Sequence, residues 1–339
     1  MRETKVAAYR PIESYFRHVV AQIVKLFAVL LACGLAAPGH AKQYPDAPVN
    51  VVMPWLDGFP ANSARIYSQW LSDRYKQSFV VQPKPGAGGE VAAKHVIHSD
   101  PSGYTLLVTG SSITIRGVSS PENADGERDL QPIAQLTTSP YVIVARAGKY
   151  KTFKNFLAIA KANPGKLNFA SAGVGTGMHY LGELINASAD VQIMHIPYSS
   201  GGKELQAVLG GDVDVAIISL VTALPQIQAG ALEALAVSST ERSKVAPNVP
   251  TLVESGLKNI PSIGAWIAMF GPKGMRPEIV HSLASQIKAI AADPVVVEKV
   301  SSWGAEIPDT DTSHLVDVIR TEKTLWSKLI KERHLPTVG

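Results

Sequence analysis

The chain has 339 residues, of which 46% are hydrophobic, and its 32 Lys and Arg nearly balance its 28 Asp and Glu. This length allows two domains of about 150 residues with a substantial core. The absence of a basic stripe with interleaved aromatic residues argues against a nucleic-acid-binding protein.

The N-terminal segment has the pattern of a secretory signal peptide over residues 1–41. Five basic residues precede an apolar run at residues 26–37, and Gly39-His40-Ala41 offers the small residues that a signal peptidase reads. The run is short for a membrane span, and an uncleaved anchor is one alternative. Lipidation of Cys33, the only cysteine, is another, because Leu30-Leu31-Ala32-Cys33 resembles a weak lipobox. Cleavage after Ala41 predicts an exported protein without cysteine.

Strands and helices alternate along the predicted mature chain. Its first part predicts strands at residues 49–53, 79–81 and 105–108 and helices after Asn62 and over residues 90–98. Asn62 has the residue type of an N-cap for the first helix. Its second part predicts strands at residues 141–145, 193–196, 213–218 and 234–237, a helix capped by Thr152, and two long helices beginning at Pro277 and after Thr312.

This alternation predicts an α/β fold of mostly parallel sheets flanked by helices, with ligands bound beyond the carboxyl ends of the strands. Residues 44–142 with 266–339 are expected to form a first lobe and residues 143–265 a second lobe. Pro140 and residues 263–270 are the candidate hinges between them.

Residues 168–179, Asn-Phe-Ala-Ser-Ala-Gly-Val-Gly-Thr-Gly-Met-His, form a glycine turn between a predicted strand and a predicted helix. Such a turn exposes backbone N–H groups at the positive end of a helix dipole and favours an anion. The third glycine comes one residue too early for a dinucleotide fingerprint, and no phosphate-binding Gly-Lys-Ser/Thr triplet occurs. The alternative is a tight turn without a ligand.

A series of motifs in fixed order resembles the substrate-binding receptors of tripartite tricarboxylate transporters, the Bug family. These motifs are Tyr44-Pro45, Pro85-Gly86-Ala87-Gly88-Gly89, Gly103-Tyr104-Thr105-Leu106-Leu107, Ala170-Ser171-Ala172-Gly173-Val174-Gly175-Thr176, His195-Ile196-Pro197-Tyr198, and Gly210-Gly211-Asp212-Val213-Asp214. The resemblance implies a two-lobed type II periplasmic-binding-protein fold that closes on a small organic carboxylate. It implies no enzyme activity and no cofactor, and membrane transporter subunits as partners. We expect a monomer.

The resemblance also implies two loops that act as jaws. In the second jaw, the glycine turn, Ser171, Gly175 and Thr176 are expected to donate to one carboxylate, and His179 follows one helical turn later. Ser111, Ser112 and Thr114 are candidates for the other end of the ligand. Tyr198 and the serines after it could reach the ligand, and Ser219 stands near a position where the family often has an acidic residue. Each of these residues also has a purely structural alternative.

The first jaw, residues 54–62, departs from the family pattern because it is one residue short and retains a single glycine, Gly58. Trp55 and Phe59 add aromatic surface there, which would favour an aromatic or longer aliphatic acid over citrate if they face the ligand. Packing within the lobe is the alternative.

Two other functions stay open. A sensor protein could bind the same carboxylate for a signalling partner. A secreted hydrolase could use Ser111 or Ser112 with His179 or His195. His95 and His98 are spaced for a metal on one helix, but no third ligand is evident, so we expect no metal site.

Overall fold

The computed structural model describes Val20, Gln22 and residues 44–333 except 57, 121, 199, 200 and 259. The predicted cleavage site and Cys33 therefore lie outside the described residues. Within the described part of the chain, no helix combines the length and the apolar character needed to cross a membrane.

The described residues form nine strands and ten α-helices. The strands are β1 (Val49–Met53), β2 (Phe79–Pro83), β3 (Thr105–Gly110), β4 (Leu130–Arg146), β5 (Asn168–Ser171), β6 (Met194–Pro197), β7 (Val215–Ser219), β8 (Leu232–Val237) and β9 (Gly264–Pro272). The helices are α1 (Gly58–Tyr75), α2 (Glu90–Ile97), α3 (Ser112–Ser119), α4 (Phe153–Ala162), α5 (Gly177–Ala189), α6 (Gly201–Gly210), α7 (Leu220–Gln228), α8 (Pro277–Ala291), α9 (Pro294–Ser302) and α10 (Thr312–Arg333).

The long strand β4 belongs to two sheets. Its first part pairs with β9 in the order β2-β1-β3-β9-β4, and its second part pairs with β7 and β8 beside β5 and β6. The change of partner falls between Pro140, opposite Gly264, and Tyr141, opposite Ser219. The predicted α/β class is confirmed, with a sheet that is mixed because β4 and β9 run antiparallel to their neighbours.

The sheet register brings the carboxyl ends of the parallel strands toward this change of partner. Gly110 at the end of β3 lies opposite Ile267 near the start of β9. In the second sheet, Ser171 and Ser219 end the neighbouring strands β5 and β7. Ligands of parallel sheets bind at such edges, so the fold places the predicted jaw loops toward the middle of β4.

Helix α10 packs against residues of both sheet regions. Its Leu315 and Ile319 join a core cluster with Phe270 of β9. Its Trp326 is buried against Tyr180 of α5, with ring centroids 5.4 Å apart. Helix α10 therefore contacts the cores of both predicted lobes.

Several elements differ from their predicted form. Helix α1 begins at Gly58, four residues before the predicted Asn62 cap, and Asn62 is exposed inside the helix. The segment 263–270, predicted as a hinge, falls largely within strand β9. The predicted strand at residues 141–145 is the second part of the 17-residue β4. Helices α3, α7 and α9 have no counterpart in the sequence prediction.

Candidate functional site

The glycine turn leads into α5 through a capped start. Thr176 is the N-cap: its Oγ1 accepts from the backbone N–H of His179 at 3.2 Å and donates to the carbonyl of Gly173 at 2.8 Å. The N–H of Gly175 donates to Nδ1 of His179 at 3.3 Å. Thr176 and Gly175, both predicted ligand donors, thus take part in hydrogen bonds that shape the turn.

The first two amides of α5 remain for a ligand. An N-terminal turn has no intrahelical acceptors for its N–H groups, and the cap satisfies only that of His179. The N–H groups of Gly177 and Met178 therefore carry the anion-binding capacity of this helix start. Gly173 and Gly175, with φ values of 126° and 79°, hold the preceding loop in a backbone conformation that other residues rarely adopt.

Ser171 is fully buried and belongs to a histidine stack. Its Oγ lies 2.6 Å from Nε2 of His195, and the rings of His195 and His179 stack with centroids 4.2 Å apart. Phe169 also stacks against His195, with centroids 4.9 Å apart. Burial lowers the pKa of His179 and of His195 to about 4, so both rings are neutral at pH 7.

Among the described residues, neither Ser111 nor Ser112 forms a hydrogen bond with His179 or His195. His195 has Ser171 as its partner, and Ser171 also exchanges hydrogen bonds with the backbone of Gly173. The predicted alternative required Ser111 or Ser112 instead. The two histidine rings bond to Ser171 and Gly175 and so support the glycine turn.

Tyr141, which sequence reasoning missed, lies between the second predicted jaw and the loop after β3. Its hydroxyl would stand 2.7 Å from a β-carbon at Gly177, so the phenol lies directly against the start of α5. The same phenol lies near the side chain of Ser111, the residue after β3. Burial raises the pKa of the phenol, and the Ser111 hydroxyl acts to lower it. Only the sequence Ser139-Pro140-Tyr141, in the middle of β4, could have drawn attention to Tyr141.

The predicted residues after β3 have different environments. Ser111 and Ser112 are partly exposed at the start of α3, whereas Thr114 is fully buried and its Oγ1 lacks a hydrogen-bond partner among the described residues. Ser112 lines a small cavity together with Gly88, Gly89 and Arg116.

The Arg116 guanidinium lies beside this cavity and forms an ion pair. Its Nε lies 3.8 Å from Glu90 Oε2 without a hydrogen bond, and its Nη2 donates to Asn123 Oδ1 at 3.4 Å. The carboxylate of Glu90 also accepts from the N–H of Ala124 at 3.0 Å. Sequence reasoning missed Arg116, which carried no motif.

The first jaw is held by a side-chain bond to its own backbone. Arg65 Nη2 donates to the carbonyl of Leu56 at 2.8 Å, which fixes the loop before Gly58. Phe59 is buried at 5% exposure, consistent with packing, while Trp55 is half-buried with its ring near Gly110 at the end of β3. Of the two predicted aromatic residues, Trp55 is the one placed at the sheet edge.

Tyr198 and Ser219 lie at the edge of the second sheet. The N–H of Tyr198 donates to the carbonyl of Ser171 at 2.9 Å, and its side chain packs against the cluster that contains Val142. Ser219 is buried, and its Oγ donates to Ser139 at 3.2 Å. Ser199 and Ser200 lie outside the described residues.

Comparison with known proteins adds family evidence to this geometry. A model of the "Tripartite tricarboxylate transporter family receptor" matches residues 63–335. A Pseudomonas protein named for its place in the tcbD-tcbE intergenic region is 31% identical over 86% of this chain and 88% of its own. BugT of Bordetella pertussis is 30% identical over 92% and 97%. The structure of MatC from Rhodopseudomonas palustris with bound malate has a TM-score of 0.76 and 28% identity, covering 85% of this chain and 100% of MatC.

Proposed function

Since the chain belongs to the tripartite tricarboxylate transporter receptor family, we propose that it binds a small organic carboxylate between two lobes and delivers it to a membrane transporter of that class. The family is one of periplasmic solute receptors, and its fold is the two-lobed α/β fold of periplasmic binding proteins. The relative MatC was solved with malate. A carboxylate is thus the ligand class that the comparisons favour.

The observation that carries the proposal is the position of the Tyr141 phenol. It lies against the start of α5 and near the side chain of Ser111, so the loops after β5 and β3 both approach one hydroxyl. A carboxylate bound here would reach the free amides of Gly177 and Met178 from one side and the Ser111 hydroxyl from the other. Polar groups converging from two sheet edges are typical of a ligand cleft.

The proposed lobe boundaries lie near the place where β4 changes partner, between Pro140 and Tyr141. We propose that residues 44–142 with 266–339 move relative to residues 143–265, and that the two hinges lie at Pro140 and near Ile263. Ser238 links these places, because its Oγ accepts from the N–H of Tyr141 at 2.9 Å and donates to the carbonyl of Ile263. The predicted leader would place the receptor in the periplasm.

Ligand binding is tested by thermal unfolding of the purified protein with a panel of aliphatic, aromatic and tricarboxylic acids. A ligand at about 100 times its Kd should add ~2.7 kcal/mol of stability. The panel includes benzoate and phthalate because the half-buried Trp55 ring could contact an aromatic ligand. Binding of citrate alone would contradict that contact.

Lobe closure is tested by small-angle scattering. The protein should become more compact at ligand saturation, and an unchanged radius of gyration would contradict closure.

A variant pair tests the location of the site. Gly177→Ala would place a β-carbon 2.7 Å from the Tyr141 hydroxyl and should weaken carboxylate binding at least tenfold. Gly210→Ala, where the nearest atom would stand 3.6 Å away on an exposed helix end, is the control and should bind normally. Equal affinities of the two variants would place the ligand elsewhere.

Delivery to a transporter is tested by uptake of the labelled ligand in cells with and without the receptor gene.

A further inference from the structure

Glu204 is a buried carboxyl group without a partner. The residue lies in the first turn of α6 and has no solvent-exposed surface. Neither carboxylate oxygen has a hydrogen-bond partner among the described residues. A carboxylate removed from water without hydrogen bonds or a countercharge is strongly disfavoured, so this group indicates a missing partner.

The carboxyl lies at the edge where the ligand is proposed to bind. Helices α5, α6 and α7 follow the strands β5, β6 and β7 of one sheet, so their first turns lie beyond the carboxyl ends of these strands. A β-carbon built on Gly201 would lie 3.6 Å from Oε1 of Glu204 and 3.9 Å from Oγ1 of Thr222. The charge of Glu204 also contributes to the raised pKa of Tyr141, whose phenol lies against α5.

The protein supplies no cation to this carboxyl within the described residues. The ion pairs between described side chains involve other acids, and the neighbouring Lys203 is exposed on the outer side of α6. The hydroxyl of Thr222 could donate one hydrogen bond but carries no charge. A positive group that pairs with Glu204 would therefore come with the ligand.

We propose that Glu204 is a specificity-determining residue that binds the ammonium group of an amino-carboxylate ligand whose carboxylate rests on the start of α5. The inference rests on the proposed receptor function and narrows its ligand class from plain carboxylates to zwitterionic ones. An ammonium group supplies up to three N–H donors and a full countercharge, which a hydroxyl or a second carboxylate does not. A second carboxylate at this position would meet a group that repels it whenever Glu204 is ionised.

The proposal predicts a change in protonation on binding. Burial raises the pKa of Glu204 well above its usual value, which favours the protonated carboxyl in the empty site. Pairing with an ammonium group favours the ionised carboxylate, and the displaced proton passes to the buffer. Binding of the preferred ligand should therefore release protons, while binding of succinate or glutarate should not.

The test uses isothermal titration calorimetry with succinate and glutarate and their amino analogues. Aspartate and glutamate add an ammonium group to these diacids, and β-alanine and 4-aminobutyrate have an ammonium group in place of one carboxylate. The wild type should bind an amino analogue at least tenfold more tightly than the parent diacid. Titrations in phosphate and in Tris buffer at pH 7 give the number of protons released. Glu204→Gln, which keeps the shape of the group, should remove both the preference and the proton release.

Two further variants make the result decisive. Glu204→Asp keeps the charge and should retain the preference with weaker binding. Glu183→Gln removes another partly buried carboxyl of the second lobe, on α5, and should leave the preference unchanged. A wild type that prefers succinate or glutarate, or a preference that survives in Glu204→Gln, would overturn the inference while the receptor function stands. Failure of every carboxylate to bind would instead overturn the proposed function. If Glu204→Gln does not fold, the inference is tested by the wild type alone, which should release protons on binding the amino analogues and not on binding succinate or glutarate.

Discussion

Glu322 of α10 should make the stability of this protein fall as the pH rises, and Glu322→Gln should remove that dependence. Its Oε1 accepts from the indole N–H of Trp266 at 2.9 Å, while Oε2 is out of contact with solvent and has no partner of good geometry among the described residues. The residue as a whole is partly exposed, so the carboxyl end is its buried part. Burial raises the pKa of this carboxyl to about 8, although the indoles of Trp266 and Trp326 lower it.

The size of the effect follows from the difference between the folded and unfolded pKa. Between the ordinary pKa of 4.5 and the folded pKa of about 8, the unfolded chain releases a proton that the folded chain still holds. Stability is therefore present in full below pH 4.5 and is lost as the pH rises toward 8, at about 1.4 kcal/mol per pH unit. From pH 5 to pH 8 the contribution of Glu322 should fall by about 3 kcal/mol.

The assay is urea unfolding of the wild type and Glu322→Gln between pH 5 and pH 8, followed by tryptophan fluorescence and circular dichroism. The glutamine keeps an acceptor for Trp266, so the variant should gain about 3 kcal/mol relative to the wild type over this range. Glu332→Gln, on an exposed position of the same helix, is the control for loss of a charge. A stability difference between Glu322→Gln and the wild type that is the same at pH 5 and pH 8 would refute the reasoning.

Other substitutions test packing and capping by urea unfolding at one pH. Gly182→Ala should cost about 2 kcal/mol, because its β-carbon would lie 2.2 Å from the ring of Phe169, whereas Gly210→Ala should be neutral or slightly stabilising; equal effects would contradict this packing. Thr176→Val should cost ~1 kcal/mol through loss of the α5 cap, and an unchanged stability would mean that the hydroxyl is not the cap. Asn62→Ala should change stability by less than ~0.5 kcal/mol, because Asn62 lies exposed inside α1, and a loss of ~1 kcal/mol would support the predicted cap instead.

Local patterns predicted the elements whose signals are local. The Thr152 cap of α4 is confirmed, since its side chain accepts from the N–H of Asn155, and Pro277 begins α8 as predicted. The glycine turn was predicted because three glycines separate an apolar strand from an apolar helix face. In each case the residues that determine the structure lie within a few positions of one another.

The missed elements depend on distant partners. No strand was predicted over residues 264–272, and the pairing of this segment with both β3 and β4 is what forms β9. Helix α1 starts early because Gly58 takes a φ of 80°, Pro60 suits a first helical turn, and Arg65 reaches back to Leu56. None of these contacts can be inferred from hydrophobic spacing.

The sequence drew attention to the glycine turn but could not predict the hydrogen bonds within it. Hydroxyl groups at Ser171 and Thr176 were expected to face a ligand, yet both bond within the turn. A sequence shows that a hydroxyl is near a helix start but not whether the backbone has already engaged it. The groups left for a ligand are backbone amides, which nearly every residue has and which no motif can identify.

The two buried carboxyls, Glu204 and Glu322, make the two main tests independent of each other. Both raise the pKa of Tyr141, but Glu204 follows the second sheet on α6, whereas Glu322 bonds to Trp266 of the first sheet. If Glu204 recognises the ligand, its replacement should alter ligand preference and proton release. Replacing Glu322, whose Oε1 is engaged with Trp266, should alter stability with pH while ligand preference stays the same. A Glu322→Gln variant that also lost the preference for amino-carboxylates would show that the carboxyls act through Tyr141 as one unit, and the assignment of specificity to Glu204 alone would fail.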